Sequence, residues 1–176
     1  MAKKFFLQWL WDNTAGCTAV VEFGAGFFQQ LSRVHSDVKY RVGLEIYKPY
    51  HVNAKFTKCL MILADMCDFD LHLKSKHYDC AMFIDSLEHL AMEDAEFLIS
   101  RVKAKFNKIL LMIPEGEHPQ TKDVTGHGGH QEQTHRSTWR VADVEALGFQ
   151  EVYLDPKFHR GVAGCIFAVW KKDADK

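Results

Sequence analysis

Thr18-Ala19-Val20-Val21-Glu22-Phe23-Gly24-Ala25-Gly26-Phe27-Phe28-Gln29 decides how the rest of this 176-residue chain is read. An apolar run closes on Glu22, two glycines follow at Gly24 and Gly26, and a segment able to form a helix begins at once. That is the strand, tight turn and helix start at which nucleotide-type ligands bind, the glycines letting backbone come close to the ligand. Glu22 puts a carboxylate at the strand end, where it would repel a phosphate. The residues therefore favour a cationic or hydroxyl-bearing ligand, a sulfonium nucleoside over a dinucleotide. A Gly-x-Gly on its own also fits a plain strand-to-helix turn.

Outward from this turn, apolar periodicity predicts strands at Ala19 to Phe23, Tyr40 to Glu45, Cys59 to Leu63, Tyr78 to Ile84 and Lys108 to Ile113, with Pro114 ending the last. Helices are predicted at Phe5 to Trp11, ended by Asp12 and Asn13, at Phe27 to Val34, and at Tyr47 to Phe56 with Pro49 in its first turn. Two more follow at Met92 to Phe106 and at Val141 to Leu147, the second capped by Gly148. Phe149 to Leu154 and Val162 to Trp170 read as an antiparallel pair joined through Arg160-Gly161. Glu45 lies 23 positions beyond Glu22, near the roughly 20-residue distance at which doubly wound folds place an acidic residue against ribose hydroxyls.

With Glu22, Gly24 and Gly26 in this spacing, the chain resembles the class I S-adenosylmethionine-dependent methyltransferases. Their first motif is an acidic residue followed by Gly-x-Gly-x-Gly, and Phe28 stands where the third glycine usually sits. The dinucleotide fingerprint would need its third glycine at Gln29. A second resemblance is Asp85-Ser86-Leu87-Glu88-His89-Leu90, like the Leu-Glu-His-Leu turn that follows the fourth strand in many of these enzymes. The resemblance implies a doubly wound, Rossmann-like α/β fold: a seven-stranded sheet in the order 3-2-1-4-5-7-6 with a C-terminal antiparallel strand and helices on both faces. It implies S-adenosyl-L-methionine as cofactor, held by Glu22, Gly24, Ala25 and Gly26, by Glu45 and Ile46 at the ribose, by Asp65 and Met66 at the adenine, and by Asp85 near the methionine part.

From Glu115 to Thr138 the composition turns to histidine, glycine, glutamine and threonine, without apolar periodicity. A loop this long in a compact domain is usually functional or disordered, and this one leaves the carboxyl edge of the sheet, where such folds bind ligands. Little apolar area makes it a lid expected to order on ligand binding. The pattern Pro114-Glu-Gly, Gln120 and His135-Arg-Ser137-Thr-Trp139 resembles a subgroup of small bacterial-type methyltransferases. The implied activity is methyl transfer to a small-molecule or glycan-type acceptor at a hydroxyl. His135, in the loop, is the first candidate for the catalytic base and His89 the second, since imidazole suits proton removal near neutral pH. Trp139 is a candidate wall of the acceptor pocket.

Two other readings stay open. His118, His127, His130 and His135 with Glu132 could serve metal-assisted chemistry, but His127 and His130 lack the spacing of a known metal motif and no metal site is assigned. A nucleoside-binding partner or sensor without catalysis is the other. Composition narrows the partners. One domain is expected over residues 1–176, and 22 basic against 23 acidic residues leave a net charge of -1, with no basic face for nucleic acid or an anionic membrane. Five cysteines without a paired motif fit a reducing, cytoplasmic setting. No apolar run approaches the roughly 18 residues of a membrane span, and Gln8, Asp12 and Asn13 interrupt what would otherwise resemble a lipoprotein signal before Cys17. A homodimer is compatible with all of this.

Overall fold

The structure, a computed structural model, describes residues 2–54, 58–74, 78–129, 131–159 and 163–172. Seven strands form one sheet in the order β3-β2-β1-β4-β5-β7-β6: β1 Ala19–Phe23, β2 Tyr40–Glu45, β3 Leu60–Leu63, β4 Tyr78–Ile84, β5 Phe106–Glu115, β6 Glu151–His159 and β7 Ala163–Lys171. β1 to β5 pair in parallel and β7 runs antiparallel between β5 and β6. This is the predicted order and the predicted hairpin. The segment joining β6 to β7, read as Arg160-Gly161, lies outside the described residues.

Period-2 alternation builds a core on each side of the sheet. Val21, Phe23, Ala81, Phe83, Ile109 and Leu111 face one way, where α3 (Phe69–His72), α4 (Met92–Lys105) and α5 (Val141–Ala146) cover them. Val20, Cys80, Met82, Leu110 and Met112 face the other, under Phe6 and Leu10 of α1 (Ala2–Thr14). Covered on both faces, β1 is buried at all five positions, which is why its sequence is a near-continuous apolar run. α4 presents Ala95, Leu98, Ile99 and Val102 to the core at helical spacing. Glu93 and Asp94 in its first turn and Lys103 and Lys105 in its last oppose the helix dipole.

Four predicted elements differ. Phe27 to Val34 is not a helix but a run of turns with one 3-10 turn at Gln30–Ser32, because Gly26 (φ 52°) and Phe28 (φ 59°) take left-handed backbone where a helix would have to nucleate. The left-handed region costs an L-residue roughly 1–2 kcal/mol. Burying the whole Phe28 ring, which is 0% exposed, offsets that with about 1.5–3 kcal/mol. α1 continues through Asp12 and Asn13 to Thr14, since Thr14 Oγ1 and Asn13 Nδ2 donate back to the carbonyls of Leu10 and Trp9. The second helix shortens to α2, Lys48–Val52, with Pro49 in its first turn, and Phe56 lies outside the described residues. Pro114 does not end β5. It pairs with Cys165 of β7 beyond the last β4 partner, Ile84 opposite Met112, so its missing N–H breaks no ladder on that side. No helix among the described residues is long and apolar enough to cross a membrane.

Candidate active site

A cleft of about 500 Å³ opens at the carboxyl ends of β1, β2 and β4, the switch point where doubly wound sheets bind ligands. Its floor is the turn after β1. Gly24 (φ 69°) passes so close to the turn after β4 that a Cβ there would stand 2.7 Å from Ser86 Cβ, and only glycine fits. Ala25 N–H donates to the Leu44 carbonyl. Gly26 N–H donates to Glu45 Oε2 at 2.8 Å, while Tyr47 N–H donates to Oε1 at 2.8 Å. Glu45 is thus locked across the cleft edge, each oxygen keeping a second lone pair.

Gly24, Ala25, Gly26, Glu45 and Ile46 all line this cleft, with Asp65 and Met66 beside them. Asp65 Oδ1 accepts from Cys67 N–H at 2.8 Å and caps the 3-10 turn Met66–Asp68. Glu22 lines the floor, 1% exposed, its Oε2 without a hydrogen-bond partner. Burial, and then the neighbouring charge of Glu45, push its carboxyl well above the ordinary range.

Asp85 and His89 line the other end. Asp85 is a non-glycine residue at φ 47°, the kind of backbone outlier that collects at functional sites. Its side chain keeps 42% of its surface, turned toward the cleft, and partial desolvation by the surrounding walls raises its carboxyl above the ordinary range. Behind it the chain brings together residues from the turn after β4 and the loop after β5. Glu88, His89 and His135 each offer a carboxylate or imidazole atom within 4.8 Å of the others. Arg136 and Ser137 N–H groups donate to the Glu88 carbonyl and seat the loop on the turn. His135 Nδ1 faces the His118 carbonyl at 2.6 Å and His89 Nδ1 the Thr134 carbonyl at 3.3 Å. A carbonyl only accepts, so these contacts assign the ring proton to Nδ1 in both. Burial first, then the charge of His135, lowers the His89 imidazole to about 4, and burial lowers His135 as well.

The histidine-rich loop divides between the two ends. His118 and His135 join His89 and His159, the His118 ring stacked 5.5 Å from that of His159. His127 instead lies against Phe27 and Tyr50 at the opposite end, and His130 lies outside the described residues. Glu132 lines the cleft. Asp123 organises the loop tip, its carboxylate accepting from Thr125, His127 and Gly128. Burial raises its carboxyl, but these hydrogen bonds outweigh that and hold it well below the usual range. Tyr47 Oη donates to the His127 carbonyl at 2.7 Å, tying the loop tip to the segment that follows Glu45.

Sequence reading placed Glu45, Asp65, Asp85 and His89 on one cleft but differed from the structure at two points. Trp139 is 1% exposed within the core, its Nε1 donating to Ser137 Oγ, and walls no pocket. His135, with a side chain 10% exposed, sits one layer behind His89 rather than at the cleft surface. Glu88 and His159 were missed. Glu88 carried a signal in its place beside His89 in the turn motif, whereas His159, in β6, carried none.

No family model and no curated protein matches the sequence. Solved structures share its fold along nearly its whole length. The N-methyltransferase NodS from Bradyrhizobium japonicum, in complex with S-adenosyl-L-homocysteine, aligns at TM-score 0.69 and 11% identity over 97% of this chain and 85% of that one. The N-terminal domain of EvdMO1, in the presence of S-adenosylhomocysteine and D-fucose, gives 0.67 and 15% over 98% and 82%. An S-adenosylmethionine-dependent methyltransferase from Archaeoglobus fulgidus gives 0.65 and 18% over 97% and 93%. The fold is that of the class I methyltransferases.

Proposed function

We propose that this chain is an S-adenosylmethionine-dependent methyltransferase acting on a small-molecule or glycan-type acceptor at a hydroxyl. The observation that carries the reading is Glu45. Its carboxylate is held by Gly26 and Tyr47 N–H groups at the cleft edge, where it can accept from a pair of vicinal hydroxyls such as those of ribose. The cofactor fits the residues present. At Gly26, on the cleft floor, a Cβ would meet nothing within 4 Å, so bare backbone faces open space there, Glu22 closes the floor beneath it, and Asp65 with Met66 line the wall beside Glu45. S-adenosylmethionine supplies a methyl carbon already activated by its sulfonium.

The chain's own task is then to align the acceptor and manage its proton. His89 at the cleft surface and His135 behind it are assigned to that proton, and Asp85, at the same end of the cleft, to the methionine part of the cofactor. D-fucose in the EvdMO1 structure supports a hydroxyl-rich acceptor. Calorimetric titration with S-adenosylhomocysteine, with ATP and NAD as controls, tests the reading, followed by an S-adenosylhomocysteine-release assay over sugars, phenols and amines. Micromolar binding of S-adenosylhomocysteine alone is expected. Tight NAD binding without it would overturn the assignment.

A further inference from the structure

We propose that Glu88, His89 and His135 bind a divalent transition-metal cation at the acceptor end of the cleft, where it takes the acceptor's oxygen. The acceptor part rests on the methyl-transfer reading; the cation site rests on geometry alone. One ligand atom from each residue lies within 4.8 Å of the others, and His135 Nε2 stands 3.9 Å from Glu88 Oε1. Ligands about 2.0–2.2 Å from an ion at the tetrahedral angle lie roughly 3.3–3.6 Å apart, so a cation has to draw this set in by up to about 1 Å, and the His135–Glu88 pair by about half of that.

Three further observations point to a cation. Glu88 is 3% exposed with Oε2 lacking any hydrogen-bond partner, and among the described residues no lysine or arginine forms an ion pair with it. A buried carboxylate left in that state is costly, and a bound metal relieves it. Both imidazoles turn Nδ1 to a backbone carbonyl, of His118 and of Thr134, the second contact that metal-ligating histidines almost always make to fix tautomer and orientation. Finally, three protein ligands leave the open position typical of catalytic rather than structural sites, and His89, lining the cleft, marks where it opens. Two imidazoles and one carboxylate select zinc, cobalt, manganese or iron over magnesium and calcium.

An oxygen held on such an ion loses its proton to water more readily. In the methyl-transfer reading, His89 and His135 therefore serve as ligands to the ion that acidifies the acceptor, rather than as free bases.

The test is titration of the chelator-treated full chain with Zn²⁺, Co²⁺ and Mg²⁺ by calorimetry, with visible absorption of the Co²⁺ form reporting nitrogen and oxygen ligands. One Zn²⁺ or Co²⁺ per chain is expected, Mg²⁺ binding far more weakly. His135→Ala and Glu88→Gln should each weaken binding by more than the roughly 10- to 100-fold that loss of an outer contact costs, with melting curves confirming that both fold. Equal Zn²⁺ affinity in the native chain and Glu88→Gln, or no stoichiometric binding, overturns the site. S-adenosylhomocysteine affinity measured on the same samples separates the two claims. Cofactor binding without metal sinks this inference alone, and metal binding without the cofactor sinks the methyl-transfer reading alone.

Discussion

The ring of Phe28 fills the slot that Gly43 leaves open in β2: a Cβ at position 43 would stand 2.4 Å from Phe28 Cδ1 and Cε1. The departure from the three-glycine motif is thus matched by a glycine on the neighbouring strand. Gly43→Ala should destabilise the protein by about 1–3 kcal/mol through overpacking, and Phe28→Ala by about 3–5 kcal/mol through the cavity it leaves. Combined, they should cost less than their sum, since alanine at 43 enters space the ring vacates. Some of the Gly43→Ala cost remains, because Ala25 Cβ would lie at 2.9 Å. Urea unfolding of the cycle measures this; strict additivity would contradict the pairing.

Glu22 makes stability depend on pH. Its folded carboxyl is raised well above its ordinary value of 4.5, by burial and then by Glu45, so the folded state keeps a proton that the unfolded chain releases. The stability this contributes is complete below about pH 4.5 and is lost as pH rises toward the folded value. Glu22→Gln should therefore raise the melting temperature more at pH 8 than at pH 5. A pH-independent difference would show that Glu22 is not protonated in the fold.

His89 acts with the opposite sign. Its folded imidazole titrates near 4 instead of 6.5, so in the metal-free protein stability is present above pH 6.5 and is lost as pH falls toward 4. The full shift corresponds to about 3 kcal/mol. His89→Gln should flatten the acid limb of a melting-temperature profile. An unchanged acid limb would show that His89 is not desolvated in the fold.

Glu45→Gln tests the cofactor end. It replaces one charged acceptor by an amide, whose NH₂ cannot accept from both Gly26 and Tyr47, and should weaken S-adenosylhomocysteine binding by about 1–3 kcal/mol. Asp85→Asn, at the other end, should weaken the same binding through the lost contact to the methionine part. Calorimetry and initial rates on both variants decide it; equal affinity in Glu45→Gln and the native chain would overturn the proposed contact between Glu45 and the ribose.

Tyr47 holds the tip of the loop after β5. Tyr47→Phe deletes the hydrogen bond to the His127 carbonyl, worth about 0.5–1.5 kcal/mol, and amide exchange over residues 123–129 should quicken by roughly that energy while the sheet is unaffected. Gly128→Ala, with φ 84° and a Cβ 2.6 Å from Tyr47 Oη, should loosen the same segment further. Protection in both variants equal to the native loop would mean that Asp123 alone orders it.

The sequence by itself determined the parts that rest on local pattern. β1, β2 and β4 were legible to the residue, because apolar runs buried on both sheet faces and closed by turn residues admit one reading. In the strand order that the resemblance implies, their carboxyl ends then bring Glu22, Gly24, Glu45 and Asp85 to one cleft. Only the tertiary structure decided the rest, and at each place the deciding contact joins residues far apart in the chain. Phe27 to Val34 has helical propensity, but burying the Phe28 ring over Gly43 outweighs it and forces left-handed backbone. Glu88 and His135, 47 positions apart, meet because the Glu88 carbonyl receives two loop N–H groups. The loop that carries His135 has no periodicity to reveal where it lies, so its backbone hydrogen bonds, and not its side-chain pattern, chose which histidines share a site.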